Sequence, residues 1–285
     1  MFMRNHIFIY LFCSILPSLV AFADEPILFA DLVKRNNIYY EKFSKLPFSG
    51  QVKGRKNGRL VQGKINGLWI TYSENGGLSN KANYKSGNLN GLWEQYHGNG
   101  RLSEEGLYEN GKKTGVWTTY FKNGYTSYKA SYKNNKEDGP FNSYSSEDGR
   151  LIWRGFYKNG ERDGPWEYYY QNGRTELKDH YKQGEKHGSW QYYYPNGKLH
   201  SKGTYRNGKK EGLRERFYKN GQLKSMSIFK NGRRDDGIWK LYNKAGKLKS
   251  KGYYRNGKKD GPWEYYDDDG DIERQINFKN GIEVY

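Results

Sequence analysis

Cysteine is all but missing from this chain. Its single copy, Cys13, lies in an N-terminal stretch expected to be removed, which leaves no disulfide, no thiol nucleophile and no thiolate metal ligand. Aliphatic material is also scarce. Mean hydropathy is −1.11 and 28% of residues are charged, a balance usual in chains that bury too little to offset chain entropy. No Pro/Ser-rich linker interrupts the sequence, and helical periodicity is absent from residue 48 onward, where glycine density disfavours helix. His97, His180, His187 and His200 show no ligand spacing, and no phosphate loop or histidine-paired nucleophile occurs. The acidic run Asp267-Asp268-Asp269-Gly270-Asp271 has Tyr265 and Ile276 at the first and twelfth positions of a calcium loop, so it reads as an ordinary turn. The expectation is a non-enzyme with no catalytic, cofactor-binding or metal-binding residues.

What the chain does have is aromatic surface at fixed intervals. Aromatic residues make up 17% of the sequence, with 28 Tyr and 8 Trp. A large side chain recurs at Trp69, Trp93, Trp117, Phe141, Trp166, Trp190, Arg214, Trp239 and Trp263, in steps of 24 or 25 residues. Self-similarity at that period predicts a stacked array in which each unit buries its apolar surface on its neighbours. Rings carry large buried areas and tolerate a half-wet surface, so an ordered but thin structure is expected.

Three segments follow from the N-terminus. Residues 1–23 have Arg4, an apolar stretch from Ile7 to Val20, and Ala21-Phe22-Ala23 with small residues at −3 and −1, which predicts a signal peptide cleaved after Ala23. Residues 24–47 form a lead-in, in which Leu28 to Val33 is expected to make a short helix or strand. The array occupies 48–285, with a shortened first unit whose turn is expected at Asn57-Gly58. Export to the periplasm or the medium is the expected localisation.

Within each unit two turn signals alternate. One follows the tryptophan position by six residues, as at Asn99-Gly100 and Asn123-Gly124, and the other by about seventeen, as at Asn110-Gly111 and Asn159-Gly160. Asn-Gly tolerates positive φ, and type I′ turns are expected at both. Each unit is then a β-hairpin, and the fold class is all-β: an elongated single-layer antiparallel meander of about nine hairpins. A second aromatic register, Tyr72, Tyr96, Tyr120, Tyr144, Tyr169, Tyr193, Phe217, Tyr242 and Tyr266, lies three residues past the first, so alternation puts it on the opposite face. A third falls on the second strand, at Tyr84, Tyr108, Tyr132, Tyr157, Tyr181, Tyr205, Phe229, Tyr254 and Phe278.

The unit Gly-x-Trp-x-x-Tyr-x-x-Asn-Gly-x-Leu … Tyr-x-Asn-Gly-Lys resembles the bacterial variant of the MORN repeat, often grouped with YwqK-like antitoxins. The resemblance implies an elongated twisted hairpin array that holds partners. For such proteins generally it implies contacts with acidic phospholipids or other proteins.

The candidate partner-binding residues form a basic register just before the second turn: Lys85, Lys133, Lys158, Lys182, Arg206, Lys230, Arg255 and Lys279, broken only by Glu109. Further cations follow the turns at Lys112-Lys113, Lys209-Lys210, Arg233-Arg234 and Lys258-Lys259, and the acids Asp138, Asp163, Glu211, Asp236 and Asp260 are expected to neutralise part of this charge. The same cations would also keep strand ends soluble. With a net charge of +18, the expected partner is a protein bound along the sheet, with an anionic membrane or envelope surface, or a toxin domain, as alternatives. Export argues against nucleic acid.

Overall fold

The computed structural model describes residues 25–234 and 236–285; the signal peptide expected at 1–23 lies outside the described residues. Among these residues a 25-stranded sheet runs as a meander in chain order from Gly50–Lys53 to Ile282–Val284, and Ile27–Leu28 adds in parallel at its first edge. It is open and not closed into a barrel. A separate two-stranded hairpin, Leu32–Arg35 with Ile38–Glu41, forms the middle of the lead-in, and a short 3-10 turn covers Phe29–Asp31. Its Tyr39 packs with Val52, Leu60 and Trp69, and the Phe29 ring meets Trp69 edge-on at 6.3 Å. The lead-in therefore covers the open end of the first unit, as a terminal cap does in other stacked repeats.

The two turns of each unit differ. At the second turn both central residues have positive φ, as at Asn110 (49°) and Gly111 (78°), which is the expected type I′ geometry. At the first turn only the glycine does, as at Gly100 (82°). There His97 N–H donates to the Arg101 carbonyl and Gly100 N–H donates to the His97 carbonyl, which defines a type I turn followed by a glycine bulge. The expectation of type I′ at this turn is corrected for a physical reason: the asparagine works through its side chain. Asn99 Oδ1 accepts from Arg101 N–H (3.1 Å), and Asn99 Nδ2 donates to the Lys122 carbonyl of the next unit (2.9 Å). Asn123, Asn172, Asn196 and Asn220 repeat this bridge. Asn57-Gly58 is not a turn at all. It lies inside the strand Lys56–Val61, and the turn falls at Gln62-Gly63 (φ 50° and 71°).

The glycine before each tryptophan bends the strand. Gly115 (φ 66°) sits in a bulge where the pairing jumps from Thr114–Leu107 to Thr118–Glu105. Beyond this bend the second turns stack on their predecessors: Gly111 N–H donates to the Leu89 carbonyl and Gly160 N–H to the Glu137 carbonyl.

Burial depends on what lies under each indole. Alternation places Trp117 opposite Gly106, Trp166 opposite Gly155 and Trp263 opposite Gly252 on the preceding strand. The ring covers the glycine so closely that an added Cβ would lie 2.2 Å from it. These three indoles are at most 2% exposed. Where alanine or serine occupies that position, Ala82 under Trp93 or Ser227 under Trp239, the indole is only half-buried. Trp153, outside the expected registers, fills the face between Phe141 (4.6 Å) and Trp166 (5.3 Å).

Candidate functional site

The two faces carry different chemistry. Tyr108 and Tyr132 meet Trp117 edge-on at 5.0 and 6.2 Å, so the third register shares the tryptophan face. The Tyr72 register lies on the opposite face, where its hydroxyls hold carboxylates: Tyr96 donates to Glu94 (2.6 Å), Tyr120 to Glu105 (2.5 Å) and Tyr169 to Glu167 (2.6 Å). Cations one strand away complete the row, with Lys81 on Glu94, Arg154 on Glu167, Lys202 on Glu215 and Lys251 on Glu264. The Tyr169 hydrogen bond, followed by Arg154, holds Glu167 below the usual carboxylate range.

Tyr120 and Tyr169 are each pushed up to about 12, first by burial and then by the neighbouring carboxylate. An unfolded tyrosine loses its proton near pH 10, so the folded chain holds more protons above that point. Stability from these groups is complete below about pH 10 and falls as pH rises through the folded values. An ultraviolet absorbance titration should show part of the phenolate appearing late, together with loss of the sheet signal by circular dichroism. Normal titration of every tyrosine with the sheet intact would contradict it.

All eight residues of the basic register are exposed at the second-turn edge. Among the described residues only Arg255 has an ion-pair partner, Asp260 at 3.4 Å. The adjacent acids make no ion pair with the others among the described residues. Their oxygens accept turn N–H groups about twenty residues ahead: Asp138 from Asn159 (3.2 Å), Asp163 from Gln183 (3.2 Å), Glu211 from Asn231 (3.0 Å) and Asp236 from Asn256 (2.6 Å). The second cation after each turn is likewise diverted, lying over rings of the tryptophan face: Lys113 is 3.7 Å from the Trp117 centroid, Arg162 4.6 Å from Trp166 and Lys259 4.1 Å from Trp263. These are cation–π contacts that cover the indoles. The run at Asp267 is a turn, as expected: its Oδ1 accepts from Asp269, Gly270 and Asp271 N–H.

The sequence reading missed an apolar stripe. Leu92 opposite Leu107 and Ile238 opposite Tyr253, with Val116, Phe156 and Leu213, are exposed on the tyrosine face. The signal was present only in part: Leu68, Leu92, Val116 and Ile238 precede tryptophans and Leu107 and Tyr253 precede second-strand tyrosines, while Ser189, His180 and Thr204 interrupt the row. The stripe runs beside the basic register, two residues away along the strand, or about 7 Å.

The repeat departs furthest from its pattern at one place. Asp179 occupies the position under Trp190 that glycine, alanine or serine holds under the other register tryptophans, is 1% exposed, and pairs with Lys186 at 2.6 Å. One unit on, Arg214 stands where tryptophan is expected, and a cavity of about 260 Å³ opens between them.

A hairpin array of this register is a repeat protein of the MORN type. The family described as MORN repeat variant matches seven segments, 65–86, 89–110, 162–183, 186–207, 210–231, 235–256 and 259–280, and the chain belongs to it. The same hairpins continue through residues 112–158, between matched segments. Two crystal structures are similar in part. That of TcdB2-TccC3-Cdc42 is 12% identical over 88% of this chain and 17% of its own, with a TM-score of 0.20. That of TcdB2-TccC3-TEV is 11% identical over 79% and 16%, with a TM-score of 0.19. The chain thus spans about a sixth of the length of either. A comparison with curated proteins gives no match. Among the described residues no helix is long and apolar enough to cross a membrane.

Proposed function

We propose that this protein is an exported, non-enzymatic scaffold that holds an acidic protein partner along the second-turn edge of its tyrosine face. The observation that supports this most is the side-by-side course of the exposed apolar stripe and the basic register on one face. Monomeric proteins rarely leave contiguous apolar surface in water, and such patches mark interaction sites. Cations whose neighbouring acids are engaged elsewhere supply the matching charge. Because equivalent residues recur with each unit, weak contacts add along a bound chain.

The same register favours a second reading, attachment to an anionic membrane or envelope surface. Exchanging Lys158, Lys182, Arg206 and Lys230 together for Ser tests the register. Poly-glutamate binding at low salt should weaken by tenfold or more in this variant. Acidic vesicles that sediment the wild-type chain while poly-glutamate fails to bind would favour the membrane reading instead. Unchanged binding of either probe would leave the cations as solubility charge. The YwqK-like antitoxin grouping predicts a third outcome, a toxin domain that co-purifies with the chain.

A further inference from the structure

The cavity at the irregular units faces away from the proposed partner surface, on the tryptophan face. Its lining includes Asp179, Lys186, Trp190, Tyr205, Lys210 and Arg214. Three features set it apart from every regular unit. Asp179 fills the place beneath Trp190, and the indole edge lies toward the next glycine, with its Nε1 3.0 Å from where a Cβ on Gly203 would be. Gly203 itself lies under Arg214, so a glycine that elsewhere accommodates a flat indole is kept while the indole is absent. Finally, the buried Nε of Arg214 has no hydrogen-bond partner among the described residues; the Nε1 of Trp190 beside it has none either, as is also the case at Trp166.

The charges here are uncompensated. Asp179 is engaged by Lys186, and Glu211 by Asn231 N–H. Glu215 pairs with Lys202 on the other face. The Arg214 guanidinium rests 5.8 Å from the Trp190 ring and 5.9 Å from that of Phe229, and Lys210 lies 5.7 Å from Phe229, with no carboxylate on either cation among the described residues. Burial, followed by repulsion from Arg214, Arg216 and Lys186, holds Lys210 below the usual lysine range. Burial and Arg216 act in the same direction on Arg214. Unpaired buried donors are costly, and a planar guanidinium beside an ammonium is the donor set that recognises oxyanions.

We propose that this pocket binds a small molecule bearing one carboxylate or phosphate, with the oxyanion held between Arg214 and Lys210 and its body against the Trp190 and Tyr205 rings. The eight tryptophans give eight indole N–H signals, which makes a direct test possible. Inorganic phosphate and glucuronate are titrated separately at constant ionic strength into the full mature chain, and the Trp190 signal is assigned with Trp190→Phe. The expected result is a saturable shift of that one signal with at least one probe; the tighter probe identifies the class of anion. Arg214→Gln and Lys210→Gln should each weaken binding about tenfold, while Lys158→Gln, on the other face, changes nothing. Retained dispersion of the other indole signals shows that the variants fold. No saturable shift with either probe, equal affinity in both pocket variants, or equal shifts across most indoles would overturn the proposal. The Lys158→Gln control keeps this result separate from the fate of the partner surface.

Discussion

Replacing Gly155 by alanine should lower the thermal midpoint by several degrees. The new Cβ would lie 2.2 Å from Cδ2 and 2.4 Å from Cε2 of Trp166, both ring atoms of a side chain with no exposed surface. Neither the ring nor the strand beneath can yield cheaply, because Trp166 is also packed by Trp153 (5.3 Å) and Tyr157 (5.3 Å). Overpacking of this kind costs about 1–3 kcal/mol. The backbone effect has the opposite sign. Gly155 is not among the positive-φ residues, and alanine in ordinary strand geometry gains about 0.4–1 kcal/mol by restricting the unfolded chain. The ring contact should win by about 1–2 kcal/mol, or on the order of 5 °C for an array of this size. Gly98→Ala is the matching control. No atom lies within 4 Å of its added Cβ and its φ is not positive, so it should be neutral or slightly stabilising. Equal midpoints for Gly155→Ala and the wild type would remove the close glycine–indole contact from the account.

The double substitution Asp179→Gly with Arg214→Trp should have a large effect of the other sign. It would restore glycine under Trp190 and tryptophan over Gly203, which makes the irregular units match their neighbours. Arg214→Trp alone is expected to gain less, because Asp179 leaves the Trp190 edge over Gly203 and the new ring would meet it. Removing a buried ion pair in favour of well-packed apolar groups is often stabilising by about 1–4 kcal/mol. Lys186 is not stranded by the change, since its side chain is 37% exposed. A rise of about 2 kcal/mol in denaturant unfolding is expected, with loss of the pocket. A fall in stability would mean that Asp179 and Arg214 serve packing, and that the irregularity is not a stability cost kept for binding.

The hairpin array and the division of aromatic registers between two faces were legible in the sequence, because alternation along a strand ties offset to face. The Lys113 and Asp138 positions were not read correctly. A cation or a carboxylate near a turn has the same letter whether it faces water, a ring or a backbone N–H, and only the bend at Gly115 and its equivalents decides among these. The glycine under four of the tryptophans had a signal, since Gly58, Gly106, Gly155 and Gly252 all stand eleven residues before an indole. It was masked by the stronger association of glycine with turns. At Asn57-Gly58 this association put the turn inside the strand Lys56–Val61, ahead of its true place at Gln62-Gly63. The exposed stripe of Leu92, Leu107 and Ile238 was hidden for a related reason: single apolar letters between strong aromatic registers carry no period of their own.

Lysine footprinting separates the second-turn edge from the tryptophan face as the partner surface. Acylation rates of the full chain, alone and with poly-glutamate, are compared at each lysine by mass spectrometry. If the partner surface is the second-turn edge, Lys85, Lys133, Lys158, Lys182, Lys230 and Lys279 should be protected. Lys113, Lys186 and Lys259, which lie over rings on the other face, should keep their rates. Protection of this second set, with the edge lysines unchanged, would contradict it.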